Sequence, residues 1–345
     1  MTIAKVQHYV PQFLLRNFGN GKKDQLWVYD KTSDRAFPTN TKNVASESRF
    51  YDFEVNDEAI SLEPFLSDLE GKAKAVIDGI LQSDSLEGLT DEGKDVLSAF
   101  MSVQFTRTRT FREEWNAFPR MLLEHFEKTG DQVAPDSQAE QLLRDATENE
   151  SKEQTGRLML KASGTYAQHF RDKEWVLAAT TRSHPFIMCD NPLTRQNLVD
   201  RSPLGNLGLA TVGIEIYFPL SPTRALALWC PTLTELVHRG AISLMSNPAH
   251  PGPRRDPEGI LALSEALKTG RPVKYSKENV ENFNSLQVAW SERYVFSSIN
   301  DFHLAKEMLQ AHPKLKQGPR SQVAECIARA QGHVVRSFII ISYAR

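Results

Sequence analysis

Cysteine is scarce in this 345-residue chain: there are three, an odd number, and Cys189, Cys230 and Cys326 form no CxxC pair and no Cys/His ligand spacing. A disulfide framework and a structural zinc site are therefore not expected. Charge of one sign is lacking too. With 41 Lys+Arg against 43 Asp+Glu the formal charge is -2, so no global basic field recruits nucleic acid and any polyanion site must be local. Long apolar runs are absent. The most apolar stretch, Phe338 to Ile341, is far too short to cross a bilayer, and Met1-Thr2-Ile3-Ala4-Lys5 leads straight into a Gln/His/Pro sequence, which makes a cytoplasmic location with no membrane partner the expectation. P-loop, GxGxxG and GxSxG motifs are missing, which disfavours nucleotide-driven motors, dinucleotide enzymes and α/β-hydrolases. HxxxH, DxD and an HD pair are missing as well.

What is present is ordinary globular composition, 40% hydrophobic and 24% charged, enough to bury a large core. Pro11 opens a short helix over 11–18 that Gly19 and Gly21 close. Leu26 to Asp30 and Ala36-Phe37 read as a hairpin, with Arg49 to Phe53 as a further extended piece. From Ser61 to Gln82 apolar residues recur at three- and four-residue steps, the period of an amphipathic helix. A second long helix opens after Thr90 and carries Val96, Phe100, Phe111 and Trp115 before Pro119, so that the two should pack as an antiparallel pair.

Residues 131–156 hold seven acidic residues against two basic ones, a solvated helix or mobile insertion. Helical period resumes at Leu158 towards Phe170, and strands follow: Trp175 to Thr180, Phe186 to Cys189, Ile214 to Pro219 and Ala225 to Cys230. The stretch from Asn247 to Pro253 is a Pro/Gly loop. Ser276 caps a helix through about Ser291, Tyr294 to Ser297 is a strand, helices follow near Asp301 to Gln310 and Ser321 to Ala330, and Val334 to Tyr343 is a last strand. The fold class is α+β, helix-rich, with a long helix pair packed on a mixed or antiparallel sheet. The organisation is a main domain over 1–300, with a small N-terminal β lobe at about 20–55, a helical half at about 58–172 and a β-rich half at about 173–300. Residues 301–345 complete it. The seven basic against two acidic residues from His303 to Arg345 read as a solvated face rather than a nucleic-acid surface.

Polar residues that fall inside apolar arcs are the informative ones. On the second long helix Gln104 lies near the middle of the arc and Arg107 at its edge, and Glu70 on the first helix, seven residues after Glu63, is the natural partner for Arg107. On the helix at 277–291 Asn279 and Asn282 share the face of Phe283, Leu286 and Trp290, Asn284 faces away and Gln287 is marginal. Gln12 and Arg16 lie four apart on one helix side, with His8 just before Pro11. Asp190, followed by Asn191, stands where a strand ends before Pro192. A structural ion pair, helix caps and an Asx turn account for the same residues, and those readings stay open.

These residues also carry a resemblance. His8-Tyr9-Val10-Pro11-Gln12-Phe13 with the following Leu14 to Phe18, then Leu26 to Asp30, Gln104 with Arg107-Thr108, Asp190-Asn191-Pro192, Phe218 to Pro222 and the Asn-bearing helix resemble a broad family of bacterial proteins known by a domain-of-unknown-function label. Its members open on an HYVPQF-type signature. The resemblance spans from His8 to about Ser298, with Cys189 where Ser or Thr would be at home. It implies a single family domain across most of the chain and no particular reaction.

Three functional readings follow from the residues. The first is a metal-dependent phosphoester hydrolase, a nuclease on RNA or DNA included, with Glu70 and Asp190 as ligands for Mg²⁺ or Mn²⁺ and, with His8, as acid/base groups. In it Arg16, Gln12, Gln104, Arg107, Asn191, Asn279 and Asn282 hold the nucleic acid or nucleotide. A role in bacterial defence would suit it. The second is a sensor or binding module that holds a small anionic or nucleotide-like ligand without turnover. The third is a structural or interaction protein with a buried polar cluster.

Overall fold

The computed structural model describes residues 6–130, 147–199, 205–246, 256–330 and 333–343, with isolated residues between 133 and 144. Most of the acidic stretch before 147, and the loop from 247 to 253, lie outside the described residues. The chain opens with β1 (Val6–His8), α1 (Gln12–Asn17), β2 (Gln25–Asp30), β3 (Arg35–Asn40), β4 (Ser46–Ser48), β5 (Asp52–Val55) and β6 (Glu58–Ser61). Helices α2 (Glu63–Ser83), α3 (Asp91–Thr106), α4 (Arg109–Thr129), α5 (Glu148–Thr165) and α6 (Ala167–Arg171) follow. Then come β7 (Glu174–Ala179), β8 (Met188–Cys189), β9 (Thr194–Gln196), β10 (Glu215–Ser221), β11 (Arg224–Trp229), α7 (Pro231–Ser246), α8 (Pro257–Thr269), β12 (Val273–Lys274) and α9 (Lys277–Trp290). The chain finishes with β13 (Tyr294–Ser297), α10 (His303–Ala311), β14 (Arg320–Ala330) and β15 (His333–Tyr343). This is an α+β fold.

The central sheet runs β12-β7-β11-β10-β9, antiparallel except for the parallel β12–β7 pair. Its apolar face, with Leu177, Ile216, Phe218 and Leu226, shares one core with Leu66 and Ile77 of α2 and Leu97, Phe100 and Met101 of α3. A second sheet runs β3-β2-β13-β8. The hairpin read from Leu26 to Phe37 is therefore not a lobe of its own, because β2 is stitched to β13 across the whole chain, Tyr29 opposite Val295. Among the described residues no helix is long and apolar enough to cross a membrane.

Two helix expectations need correction. The helix expected to run from Thr90 to Pro119 is two helices: Thr90 caps α3 by accepting from Gly93 N, and Thr108 caps α4 by accepting from Phe111 N at 3.3 Å. A threonine hydroxyl that satisfies an otherwise orphaned amide at a helix start makes the break favourable. Pro119 sits inside α4, which continues to Thr129. The segment read as a helix over Ser321 to Ala330 is instead β14, paired antiparallel with β15 along its whole length, so ladder formation overrides its Ala/Arg/Glu composition.

Candidate functional site

Gln104 and Arg107, from the last turn of α3, reach back to the segment that enters α1. Gln104 Nε2 donates to Tyr9 O at 2.9 Å; Arg107 Nε donates to the same carbonyl and its Nη2 to His8 O, both at 3.3 Å. The Arg107 Nη2 also meets Glu70 Oε1 at 2.8 Å, the pairing expected from the helix faces. Arg107 is buried and Glu70 partly exposed. Two of the segments quoted for the resemblance thus touch, joined by hydrogen bonds to the main-chain carbonyls of His8 and Tyr9. Gln104 Oε1 has no partner.

His8 lies beside this cluster, half-buried, its Nε2 3.4 Å from Thr41 O. Burial holds its pKa below the ordinary imidazole value, against the pull of Thr41 and Glu70, so the ring is neutral at neutral pH. Glu63 belongs to the same neighbourhood, its pKa pushed up by burial and then by Glu70. Gln12 and Arg16 are elsewhere occupied: Arg16 donates to Gln12 at 2.5 Å and to Asp24 at 3.2 Å on the exposed side of α1.

Asp190 is fully buried and its oxygens are spoken for. It accepts from the amides of Glu292, Arg293 and Tyr294 at 2.7, 2.8 and 2.9 Å. Burial pushes its carboxyl up to about 6 while the three amides pull it down, which leaves it ionised at neutral pH. Asn191 donates to Trp290 O at 3.2 Å. Both residues secure the turn between α9 and β13. Among the described residues no group of three His, Cys, Asp or Glu side chains is placed to hold a metal ion.

The expected inward face of α9 is also corrected. Asn279 and Asn282 are exposed, and Asn282 touches only Gln196 at 3.4 Å. The residues that turn inward are Asn284, which accepts from Ile187 N and donates to Pro185 O, and Gln287, which accepts from Cys189 N and donates to Pro192 O. The buried row is Val280, Phe283, Gln287, Val288 and Trp290. Phasing the helix on Phe283, Leu286 and Trp290 misplaces its centre by about a quarter turn.

The cavities described at the β5–β6 hairpin, beside α10 and beside the loop ending at Gly213 are lined by none of the ten residues read as a site. The last of them has a different polar floor. Its volume is about 570 Å³, with Phe105, Tyr166, His169, Arg195, Leu209 and Val212 in its lining. Arg195, on β9, is 9% exposed, and its guanidinium carbon packs over the rings of Phe105 and Trp290, 4.8 and 4.6 Å from their centroids. Nη1 donates to Leu207 O at 2.9 Å, whereas Nε is buried without a partner. No carboxylate among the described residues pairs with it. Burial holds this guanidinium down to about 10, with Glu114 the one charge opposing that fall.

The loop over the cavity is fixed at its base. Asn197 Nδ2 donates to Asn206 O and Val212 O, and Asn206 Nδ2 returns bonds to Asn197 O and Val199 O. Gly213 closes the loop at φ +82, where a Cβ would meet Val199 and Asn197 at 2.6 and 2.8 Å. Only glycine fits there without strain.

A family model described as a protein of unknown function, DUF4238, matches residues 6–301. The chain belongs to this family. Comparisons with curated proteins and with solved structures return no match. The DUF4238 match takes in every element from β1 to β13, and α10 with the β14–β15 hairpin lies beyond it. Arg195 and the whole of its cavity fall inside the DUF4238 portion. Sequence reasoning passes Arg195 by, since one arginine in a three-residue strand makes no pattern and the rings that enclose it come from 90 and 95 positions away, at Phe105 and Trp290.

Proposed function

We propose that this protein is a binding module for a small anionic ligand, seated in the cavity floored by Arg195. One observation carries the reading: a buried arginine, with its Nε unpartnered and no carboxylate in ion-pair contact among the described residues, lines an open cavity of ligand size. Removing a cation from water costs several kcal/mol unless an anion compensates, and an arginine edge is the planar fork that a carboxylate or phosphate fills. A pinned loop above it lowers the ordering cost of binding. The test is thermal unfolding with acetate, benzoate and orthophosphate at constant ionic strength. A ligand at a hundredfold excess over Kd stabilises by about 2.7 kcal/mol, so at least one anion raises Tm in the wild type and none does so in Arg195→Gln. An equal shift in both proteins, or none in the wild type, overturns the reading.

A hydrolytic reading draws on His8, whose neutral imidazole beside Glu70 is fit to take up a proton. Mg²⁺ or Mn²⁺ would then be held from Glu70 without Asp190. Glu70→Gln keeps the fold, because Arg107 retains two carbonyl acceptors, and under this reading it abolishes product formation from RNA, DNA or nucleotides in either metal. Absence of product with the wild-type protein disposes of it.

A further inference from the structure

The β14–β15 hairpin forms a two-stranded sheet of its own, each strand hydrogen-bonded to the other alone among the described residues. Its ladder is complete. Pairs run from Arg320 opposite Tyr343 to Ala330 opposite His333 with no register shift. A two-stranded hairpin is marginal in water, and edge strands are ordinarily protected by lysine, proline, a bulge or short length. This hairpin has none of the four: β14 and β15 contain no Lys and no Pro, the register is unbroken, and each strand has 11 residues.

The two strands differ as edges. β14 is tied to the body, with α4 packed along it, Arg320 held by Glu292 at 2.9 and 2.7 Å, and Ser321 donating to Glu114 at 3.0 Å. β15 is stitched to β14. Arg336 is its one Lys, Arg, Asp or Glu, and alternation places Val334, Phe338 and Ile340 on one face and Val335, Ile339 and Ile341 on the other. Apolar residues on both faces are the pattern of a strand inside a sheet, not at its margin.

We infer that β15 pairs antiparallel with β15 of a second copy of this chain, giving a four-stranded sheet across a two-fold axis at Phe338. Charge decides which edge is used. About Phe338 the two copies of β15 match along their whole length, with His333 opposite Tyr343, Val335 opposite Ile341 and Arg336 opposite Ile340, and no like charges opposed. The same operation on β14 centres on Glu325 and sets it against its own copy, a repulsive pair. Pairing through β15 adds about ten main-chain hydrogen bonds, the number a typical protein interface carries. Because both chains use the same edge, the assembly closes at two.

Sedimentation equilibrium of the full-length chain over a concentration series tests this. The wild type is a reversible dimer. Phe338→Lys sets two like charges across the axis while standing opposite Glu325 within its own hairpin, so the hairpin keeps its pairing and the chain becomes monomeric. Position 340 separates strand pairing from a general loss of apolar surface. Ile340→Lys and Ile340→Glu both stand opposite Val323 in the hairpin, but across the axis the first meets Arg336 with like charge and the second with opposite charge. Symmetry doubles the difference, so the lysine variant dissociates at least about tenfold more readily than the glutamate variant. A monomeric wild type, a dimer that survives Phe338→Lys, or equal dissociation of the two Ile340 variants overturns the inference.

Discussion

Asp190→Asn lowers the unfolding free energy by about 3 kcal/mol, since each buried amide left unpaired costs roughly 1–3 kcal/mol. The carboxylate takes three backbone N–H groups across its two oxygens, at Glu292, Arg293 and Tyr294. A carboxamide keeps one oxygen and turns an NH₂ towards amides that are themselves donors, so at least one N–H loses its acceptor in a dry site. The surrounding contacts cannot make up the loss, because they are committed to other groups of the same turn. Lys31 Nζ donates to the carbonyls of Val288, Ser291 and Leu315, and Arg293 holds Asp30 through two bonds at 3.0 and 2.7 Å. Amides, carbonyls and side chain of one turn are thus held by three different charges, Asp190 just after β8 and Lys31 and Asp30 at the end of β2. Urea unfolding of the two proteins measures the difference. A cost under about 1 kcal/mol, accompanied by a lost activity, would return Asp190 to the catalytic role that its place at a strand end suggested.

The sequence made local decisions legible and left long-range ones hidden. The period from Ser61 to Gln82 appears as α2, and Ser276 caps α9 through the amide of Asn279 as its position before the helix indicated. Those outcomes depend on neighbours a turn away. Thr108 shows the limit of periodicity: Arg107 to Thr110 carry no Gly or Pro, so nothing in composition announces that a hydroxyl will end one helix and begin another. Once that break is missed, Phe111 and Trp115 are counted on an arc to which they do not belong, and Trp115 is in fact 39% exposed. The Glu70–Arg107 pair was legible because each side chain sat at the edge of an apolar stripe and their helices adjoin. Asp190 was legible as important and not in its task, since its partners lie about a hundred residues on and are backbone amides, which all sequences possess alike.

Arg195→Met should move stability the other way, raising the unfolding free energy by about 1 kcal/mol while removing the response to anions. The wild-type guanidinium is held down to about 10 by burial, well below the ordinary arginine value, a penalty of roughly 3 kcal/mol for the charged form. Methionine fills a similar length between Phe105 and Trp290 and makes sulfur–aromatic contacts of its own. Against this gain stands the hydrogen bond to Leu207 O, worth about 1–2 kcal/mol, so the net gain is small but positive. The sign with pH follows. The folded chain resists the proton, so the penalty is present in full below about pH 10 and is relieved as pH rises from there towards the higher unfolded value. The gap between variant and wild type therefore narrows at alkaline pH, and at neutral pH a saturating anion closes it by neutralising the same charge. Paired urea titrations at neutral and alkaline pH, with and without benzoate, read all three effects. Destabilisation of the variant beyond about 2 kcal/mol would mean that Arg195 is retained to hold the loop at Leu207 rather than to receive a ligand.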